Sequence, residues 1–170
     1  MIRVCFHGAE STGKSALAAK LGYPWVAEYG RAYCEANGTA LTMADLLAIA
    51  EGQDAAMRAA ALGNPELLVL DTDPLMTAAW AQMLFGEAPD ALLGYEKAEF
   101  YLLFEADVPW VKDSTRYFGN PTERAHFAAI SEAILEQAKV PFTRISGDWA
   151  AREAQVRTAI DTLLNEMRSC

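Results

Sequence analysis

The sequence predicts an α/β fold, a three-layer sandwich with a five-stranded parallel sheet flanked by helices. Three observations carry that prediction. Short apolar runs alternate along the chain with longer stretches whose apolar residues recur at helical spacing. The apolar runs, such as Leu67-Leu68-Val69-Leu70 and Phe100-Tyr101-Leu102-Leu103-Phe104, are continuous, as strands covered on both faces require. The first run, Ile2 to Phe6, leads directly into Gly8-Ala9-Glu10-Ser11-Thr12-Gly13-Lys14-Ser15, and a helical stretch follows. That octapeptide satisfies the phosphate-binding loop pattern G-x-x-x-x-G-K-[ST] at each fixed position.

The elements follow in order. A strand over 2–7 delivers the chain to the loop, and Ala16-Leu17-Ala18-Ala19-Lys20-Leu21 sits in a helix over 14–22. A strand over 24–28, helices over 30–37 and 42–62 and a strand over 67–71 come next. Asp73-Pro74 is a helix-start signal, an N-cap acid followed by proline at the first helical position, so a helix spans 74–86. A short helix near 90–97 precedes the strand over 99–105. The stretch 107–121 is charged and broken by Gly119, Asn120 and Pro121. A helix over 122–139 carries Phe127, Ile130 and Ile134 on one face. A strand over 141–146 and a helix over 149–168, with Val156, Ile160, Leu163, Leu164 and Met167 on one stripe, complete the chain. Strand–helix alternation implies parallel strands with right-handed crossovers. No repeat, linker or low-complexity tract interrupts it, so 1–170 reads as one domain.

Composition narrows the class. With 170 residues, 52% of them hydrophobic and 22% charged, the chain is long and apolar enough to bury a sizeable core. A net charge of −9 makes nucleic acid and anionic membrane poor partners. It does not oppose a triphosphate, because distant charges are screened within about 10 Å and the loop's own groups decide. Cys5, Cys34 and Cys170 show no paired spacing and read as reduced thiols. His7 and His126 are too scattered for a metal cluster, and His7 reads as packed or hydrogen-bonded at a strand end. Met1 leads straight into the strand that the loop needs, and no run of about 18 apolar residues occurs. The expected location is the cytoplasm.

The loop names a ligand class. Gly8 and Gly13 permit backbone angles closed to other residues and let the main chain approach a phosphate. Successive N–H groups then converge at a helix N-terminus, where the dipole favours negative charge. Lys14 is placed to reach the outer phosphates and the Ser15 hydroxyl to ligate magnesium, with Glu10, Ser11, Thr12 and Ala16 completing the nucleotide contacts. ATP and Mg²⁺ are the expected cofactors.

In an open parallel sheet, ligands bind at the carboxyl ends of the strands. Those ends carry Glu28-Tyr29-Gly30-Arg31, Asp71-Thr72-Asp73, a stretch with Asp113, Arg116 and Arg124, and Ser146-Gly147-Asp148-Trp149. Asp71 ends its strand in the manner of a Walker B aspartate. Asp71 or Asp73 would hold magnesium, directly or through water, and Asp73 alternatively caps the following helix. Glu28 is placed to accept the proton of an alcohol substrate, or else pairs with Arg31 three residues on. Arg116 and Arg124 flank the break in 112–124, which reads as a lid supplying positive charge to a transferring phosphoryl group, or as a solvated loop. Trp25, Tyr29, Tyr33, Trp80 and Trp110 gather near these ends, and any one of them is able to stack on a ligand ring.

Taken in order, the loop, Glu28-Tyr-Gly-Arg31, Asp71-Thr-Asp73 and Trp110-Val-x-Asp113-x-x-Arg116-x-x-Gly119 resemble the ribosylnicotinamide kinase domain of the NadR-type proteins of NAD salvage. The resemblance spans nearly the whole chain. It implies a nucleoside-kinase-like P-loop fold with a lid, an AAA-like ATPase domain in stand-alone form. It also implies transfer of the γ-phosphate of ATP to the 5′-hydroxyl of nicotinamide riboside. By that resemblance Lys14 and Ser15 serve ATP and magnesium, while Asp71 and Asp73 serve metal or substrate. Glu28, Tyr29, Arg31 and Trp80 line the acceptor side, and Arg116 and Arg124 belong to the lid. The adenylyltransferase part of such proteins, with its H-x-G-H type signature, is missing, so the expected activity is the kinase step alone. Aromatics that the family places before the glutamate and after Asp-Thr-Asp are Ala27 and Pro74 here, and Ser114 stands in place of a glycine. A kinase for another nucleoside, or a protein-regulated P-loop ATPase switch, are the competing readings. The chain has no N-K-x-D guanine signature, and no glutamate follows Asp71 as in AAA-type machines.

Overall fold

The computed structural model describes residues 1–112 and 119–169. Its elements are β1 (Ile2–Gly8), α1 (Lys14–Lys20), β2 (Trp25–Val26), α2 (Tyr29–Asn37), α3 (Met43–Ala61) and β3 (Leu67–Asp71). They continue with α4 (Pro74–Phe85), α5 (Asp90–Leu93), β4 (Phe100–Phe104), α6 (Pro121–Ala138), β5 (Phe142–Ile145) and α7 (Trp149–Arg168). The strands pair in parallel in the order β2-β3-β1-β4-β5. The central strand therefore feeds the phosphate-binding loop. Register places Phe6 beside Asp71 and Gly8 beside Phe104, so the loop and the end of β3 share one edge of the sheet.

Alternation along β1 sorts the core into two layers, because successive side chains of a strand point to opposite faces. Cys5 joins Leu68, Leu70 and Tyr101 under Leu46 and Ile49 of α3, Leu75 of α4 and Phe127 of α6. Val4 and Phe6 join Val69, Leu102 and Phe104 under Leu17 of α1 and Val156, Ile160 and Leu164 of α7. With helices on both faces, the three-layer sandwich and the five-stranded parallel sheet are as expected.

Several bounds differ, each for a local reason. β2 forms ladder pairs only at Trp25 and Val26, because the chain leaves the sheet edge at Ala27 to start α2. β5 is exposed at Thr143 and Arg144. As an edge strand it is not covered on both faces, and a charged residue there discourages edge-to-edge pairing. The short helix ends at Leu93, with Gly94 capping it, and 95–98 is irregular. α6 starts at Pro121, one residue earlier than expected, because Asn120 caps it by accepting from the Thr122 N–H at 2.8 Å. On α6 Phe127 and Ile134 are buried and Ile130 only half-buried. On α7 Val156, Ile160 and Leu164 are buried, Leu163 is half-buried and Met167 lies exposed.

Candidate active site

The loop's path depends on two glycines. Gly8 has φ +119°, and a Cβ there would meet the Phe104 main-chain oxygen at 2.5 Å. Gly13, the αL residue before α1, has φ +86° and lies under the Trp149 ring, whose Cζ3 would be 2.7 Å from a Cβ. Lys14 Nζ donates to the carbonyls of Gly8 (2.8 Å) and Ala9 (2.7 Å), and Thr12 Oγ1 donates to Ala9 O at 2.9 Å. Two buried arginines brace the loop from outside. Arg152 donates to Thr12 O (3.4 Å), Glu105 O (3.0 Å) and Gly147 O (2.8 Å), and pairs with Asp107. Arg124 donates to Val108 O and to Ser11 O at 3.4 Å. Ser11 Oγ also accepts from the Val111 N–H at 2.8 Å. Gly119 lies against the Trp110 ring, so both flanks of the expected lid sit beside the loop.

At the end of β3 two carboxylates, Asp71 and Asp73, diverge in role. Asp71 is 1% exposed; burial raises its pKa, and the neighbouring Ser15 hydroxyl works in the opposite sense. Its Oδ1 is buried without a hydrogen-bond partner among the described residues. A buried acceptor of that kind is costly unless something satisfies it, and a hard divalent cation held by Ser15 and Asp71 would do so. No cluster of three or more His, Cys, Asp or Glu exists among the described residues. Asp73 is equally buried, but its oxygens are engaged in the core. Oδ1 caps α4 by accepting from Leu75 N at 3.0 Å, and Oδ2 accepts from Tyr101 Oη at 2.5 Å. Burial pushes the Asp73 carboxyl up to about 6 against those hydrogen bonds. Asp73→Ala removes the cap and orphans a buried phenol, so urea unfolding is expected to show a loss of roughly 2–4 kcal/mol.

Glu28 is the residue before α2, yet its side chain makes no capping bond to that helix. It lines the same cavity as the loop, and burial, followed by the Asp71 carboxylate, pushes its carboxyl up to about 7. The cavity measures about 280 Å³. Its lining combines the loop residues Gly8, Glu10, Ser11, Thr12, Gly13, Lys14, Ser15 and Ala16 with the apolar side chains of Leu41, Leu46, Ile49, Met76, Trp80 and Phe127. Glu28, Arg31, Gln53, Thr72 and Thr77 lie on its wall too. Trp80 and Phe127 rings are 4.6 Å apart and tilted by 45°, an aromatic pair within that apolar lining. The volume is near the lower end of the ~300–1,000 Å³ usual for small-molecule sites, with the usual mix of apolar lining and a few polar groups.

A family model described as "AAA domain" matches residues 3–152. The chain belongs to this AAA domain family. Among curated proteins it is similar to the trifunctional NAD biosynthesis/regulator protein NadR of Escherichia coli, 28% identical over 97% of this chain and 43% of that protein. The Salmonella typhimurium NadR is 29% identical over 84% of this chain and 37% of its own length. The AAA domain chain thus spans about two fifths of the curated relatives it matches. Among solved structures it is similar to the NadR protein in complex with NR, with TM-score 0.75 and 19% identity over 94% of this chain and 51% of that one. It is also similar to a deoxyadenosine kinase from M. mycoides, with TM-score 0.61 and 12% identity over 95% of this chain and 100% of that one. At these identities the two structures speak for the fold, that of P-loop nucleoside kinases.

Of the residues singled out in the sequence, the loop positions, Glu28, Arg31 and Trp80 line one cavity of this AAA domain protein. Asp71 is not among the lining residues but neighbours Ser15, which is. Tyr29 is 40% exposed, with its ring lying over Gly52 of α3. Arg124 is in the first turn of α6, buried to 9%, and not in a loop. Arg116, Asp113 and Ser114 lie outside the described residues, as does Cys170. His7 is buried; its Nε2–H donates to Ser131 O at 3.0 Å, and burial lowers its pKa to about 3, so it stays neutral. Sequence reasoning missed Gln53, Phe127 as a cavity wall, and Arg152. A signal existed for two of them: Gln53 interrupts the buried stripe Leu46-Ile49-Ala50-Met57, and Arg152 shares a face with Val156 and Ile160.

Proposed function

We propose that this protein is a kinase that transfers the γ-phosphate of ATP to the 5′-hydroxyl of nicotinamide riboside. One observation carries the reading: the phosphate-binding loop, Glu28 and an apolar set that includes the paired Trp80 and Phe127 rings all line one cavity. A riboside laid across it would have its ring against the apolar side chains and its hydroxyl toward Glu28 and the loop. The relatives' names, with NAD biosynthesis and NR among them, support the same substrate. A Trp face favours a cationic ring, which lets Trp80 serve where Ala27 and Pro74 provide no aromatic.

In the proposed reaction the bond between the terminal phosphorus and the ADP oxygen breaks as the bond to the 5′-oxygen forms. The hydroxyl proton passes to Glu28, whose pKa near 7 suits a general base at neutral pH. Lys14 and the loop amides hold the charge that spreads over the transferring oxygens. Arg124 fixes the loop through Ser11, and Arg116 is proposed to complete the lid. Bound Mg²⁺ would neutralise phosphate charge, with Ser15 and Asp71 as its protein ligands. Trp149, 55% exposed beside Gly13, offers an indole face to the adenine. Trp149→Ala is expected to raise the ATP KM about 3–10-fold with kcat unchanged, read by steady-state kinetics. The protein is proposed to act in the cytoplasm; no described helix is long and apolar enough to cross a membrane.

A second reading, a kinase for another nucleoside, is favoured by the aliphatic lining from Leu41, Ile49 and Met76. A panel of nucleosides and ribosides assayed for acceptor-dependent ADP release separates the two. Nicotinamide riboside is expected to give the highest kcat/KM. Preference for a neutral nucleoside would support the second reading, and ADP release indifferent to every acceptor would refute both.

A further inference from the structure

Gln53, on α3, is 2% exposed and reaches both strand ends that carry the proposed chemistry. Its Oε1 accepts from the Tyr29 N–H at 2.7 Å, and its Nε2 donates to Ala27 O at 3.4 Å and Thr72 O at 3.3 Å. Two features near it are unusual. Tyr29 is the first residue of α2, and its N–H is one of the orphan donors that a preceding side chain ordinarily satisfies. Glu28 stands in that capping position and does not cap. Thr72, between Asp71 and Asp73, has φ +77°, a strained conformation for a β-branched residue, of a kind that persists only where its surroundings hold it.

We propose that Gln53 is a positioning residue: it caps α2 in place of Glu28 and clasps the strained Thr72 turn, so that Glu28 faces the cavity and Asp71 stays beside Ser15. Three elements meet in this one amide. Without it, the Glu28 carboxyl would find the vacated Tyr29 N–H and its neighbours at the positive end of α2 and turn away from the acceptor. Thr72 would relax out of the left-handed region and carry Asp71 with it. The loop itself receives no bond from Gln53, so nucleotide binding would be spared.

The inference rests on the kinase reading for its kinetic arm only. Gln53→Met, close in size and unable to make any of the three bonds, is the test. Its crystal structure is expected to show the Glu28 carboxyl on the α2 amides and Thr72 out of positive φ. Acceptor-dependent kcat is expected to fall about 10–100-fold, in the range for lost outer-shell partners. The ATP KM should stay within about twofold, as for an interaction absent from nucleotide binding. Glu28 and Thr72 unmoved would overturn the proposal, whether or not the wild type phosphorylates any riboside. Should Gln53→Met not fold, Gln53→Glu decides. It keeps the acceptor for Tyr29 N–H and loses both donors, so Glu28 is expected to stay in the cavity while the Thr72 turn relaxes. A Thr72 turn held at positive φ in that variant would overturn the proposal.

Discussion

Lys14→Ala is expected to lower acceptor-dependent turnover by at least about 10²-fold, since removing one charge-stabilising donor from a phosphoryl or acyl transfer site has that order of effect. The ammonium is the only side-chain cation that the loop itself contributes, and in this structure it is tethered to the carbonyls of Gly8 and Ala9. Those carbonyls lie within the turn that would surround the outer phosphates, so Lys14 is already where the charge must be neutralised. Loss of its hydrogen bonds also costs stability, about 1 kcal/mol each in net terms. Melting temperature measured beside kcat separates the two effects. A folded variant with near-normal turnover would sink the assignment of the loop to catalysis.

Glu28→Gln is expected to lower kcat about 10²–10⁴-fold, the range for a positioned base, while leaving ATP affinity intact. The pH dependence follows from the raised carboxyl. Wild-type turnover should fall as pH drops below about 7, where Glu28 becomes protonated, and the glutamine variant should lose that limb. Stability is expected to change in the opposite sense. A carboxyl whose folded pKa lies above its unfolded value favours the folded state at low pH. That contribution is lost as pH rises from about 4.5 to about 7. The neutral amide carries no such penalty, so Glu28→Gln should melt higher than wild type at pH 8 and about equally at pH 4.5. The gain is at most about 3 kcal/mol, from the size of the shift. Equal melting temperatures at pH 8 would mean that Glu28 is not held against its charge. A fall in nucleotide affinity would make it a structural group or a metal ligand.

What the sequence made readable was whatever rests on local pattern. Gly8 to Ser15 could be placed because the loop needs its residue types in a fixed order. The strand end at Asp71, and the residues that follow other strands at Glu28 and Trp149, could be found from where apolar runs stop. Two things were out of reach. The first is pairing across the sheet: β2 shrank to Trp25 and Val26 because ladder contact with β3, and not apolar content, decides where a strand ends. The second is the identity of long-range partners. The polar interruption at Gln53 is visible on the α3 stripe, but nothing in the chain says that it meets Tyr29 and Thr72. Asp73 illustrates the same limit. Asp-Pro signalled a cap, but only the structure supplies Tyr101 as the partner that occupies the other oxygen.

In the proposed reaction the loop hands a phosphate across one cavity to a riboside hydroxyl. Phosphorus NMR of the protein with ATP, magnesium and nicotinamide riboside tests it most directly. A new phosphomonoester signal coupled to the 5′-methylene protons is expected, growing mole for mole with ADP and absent in Glu28→Gln over the same time. Inorganic phosphate appearing in its place, at a rate unchanged by the riboside, would contradict it.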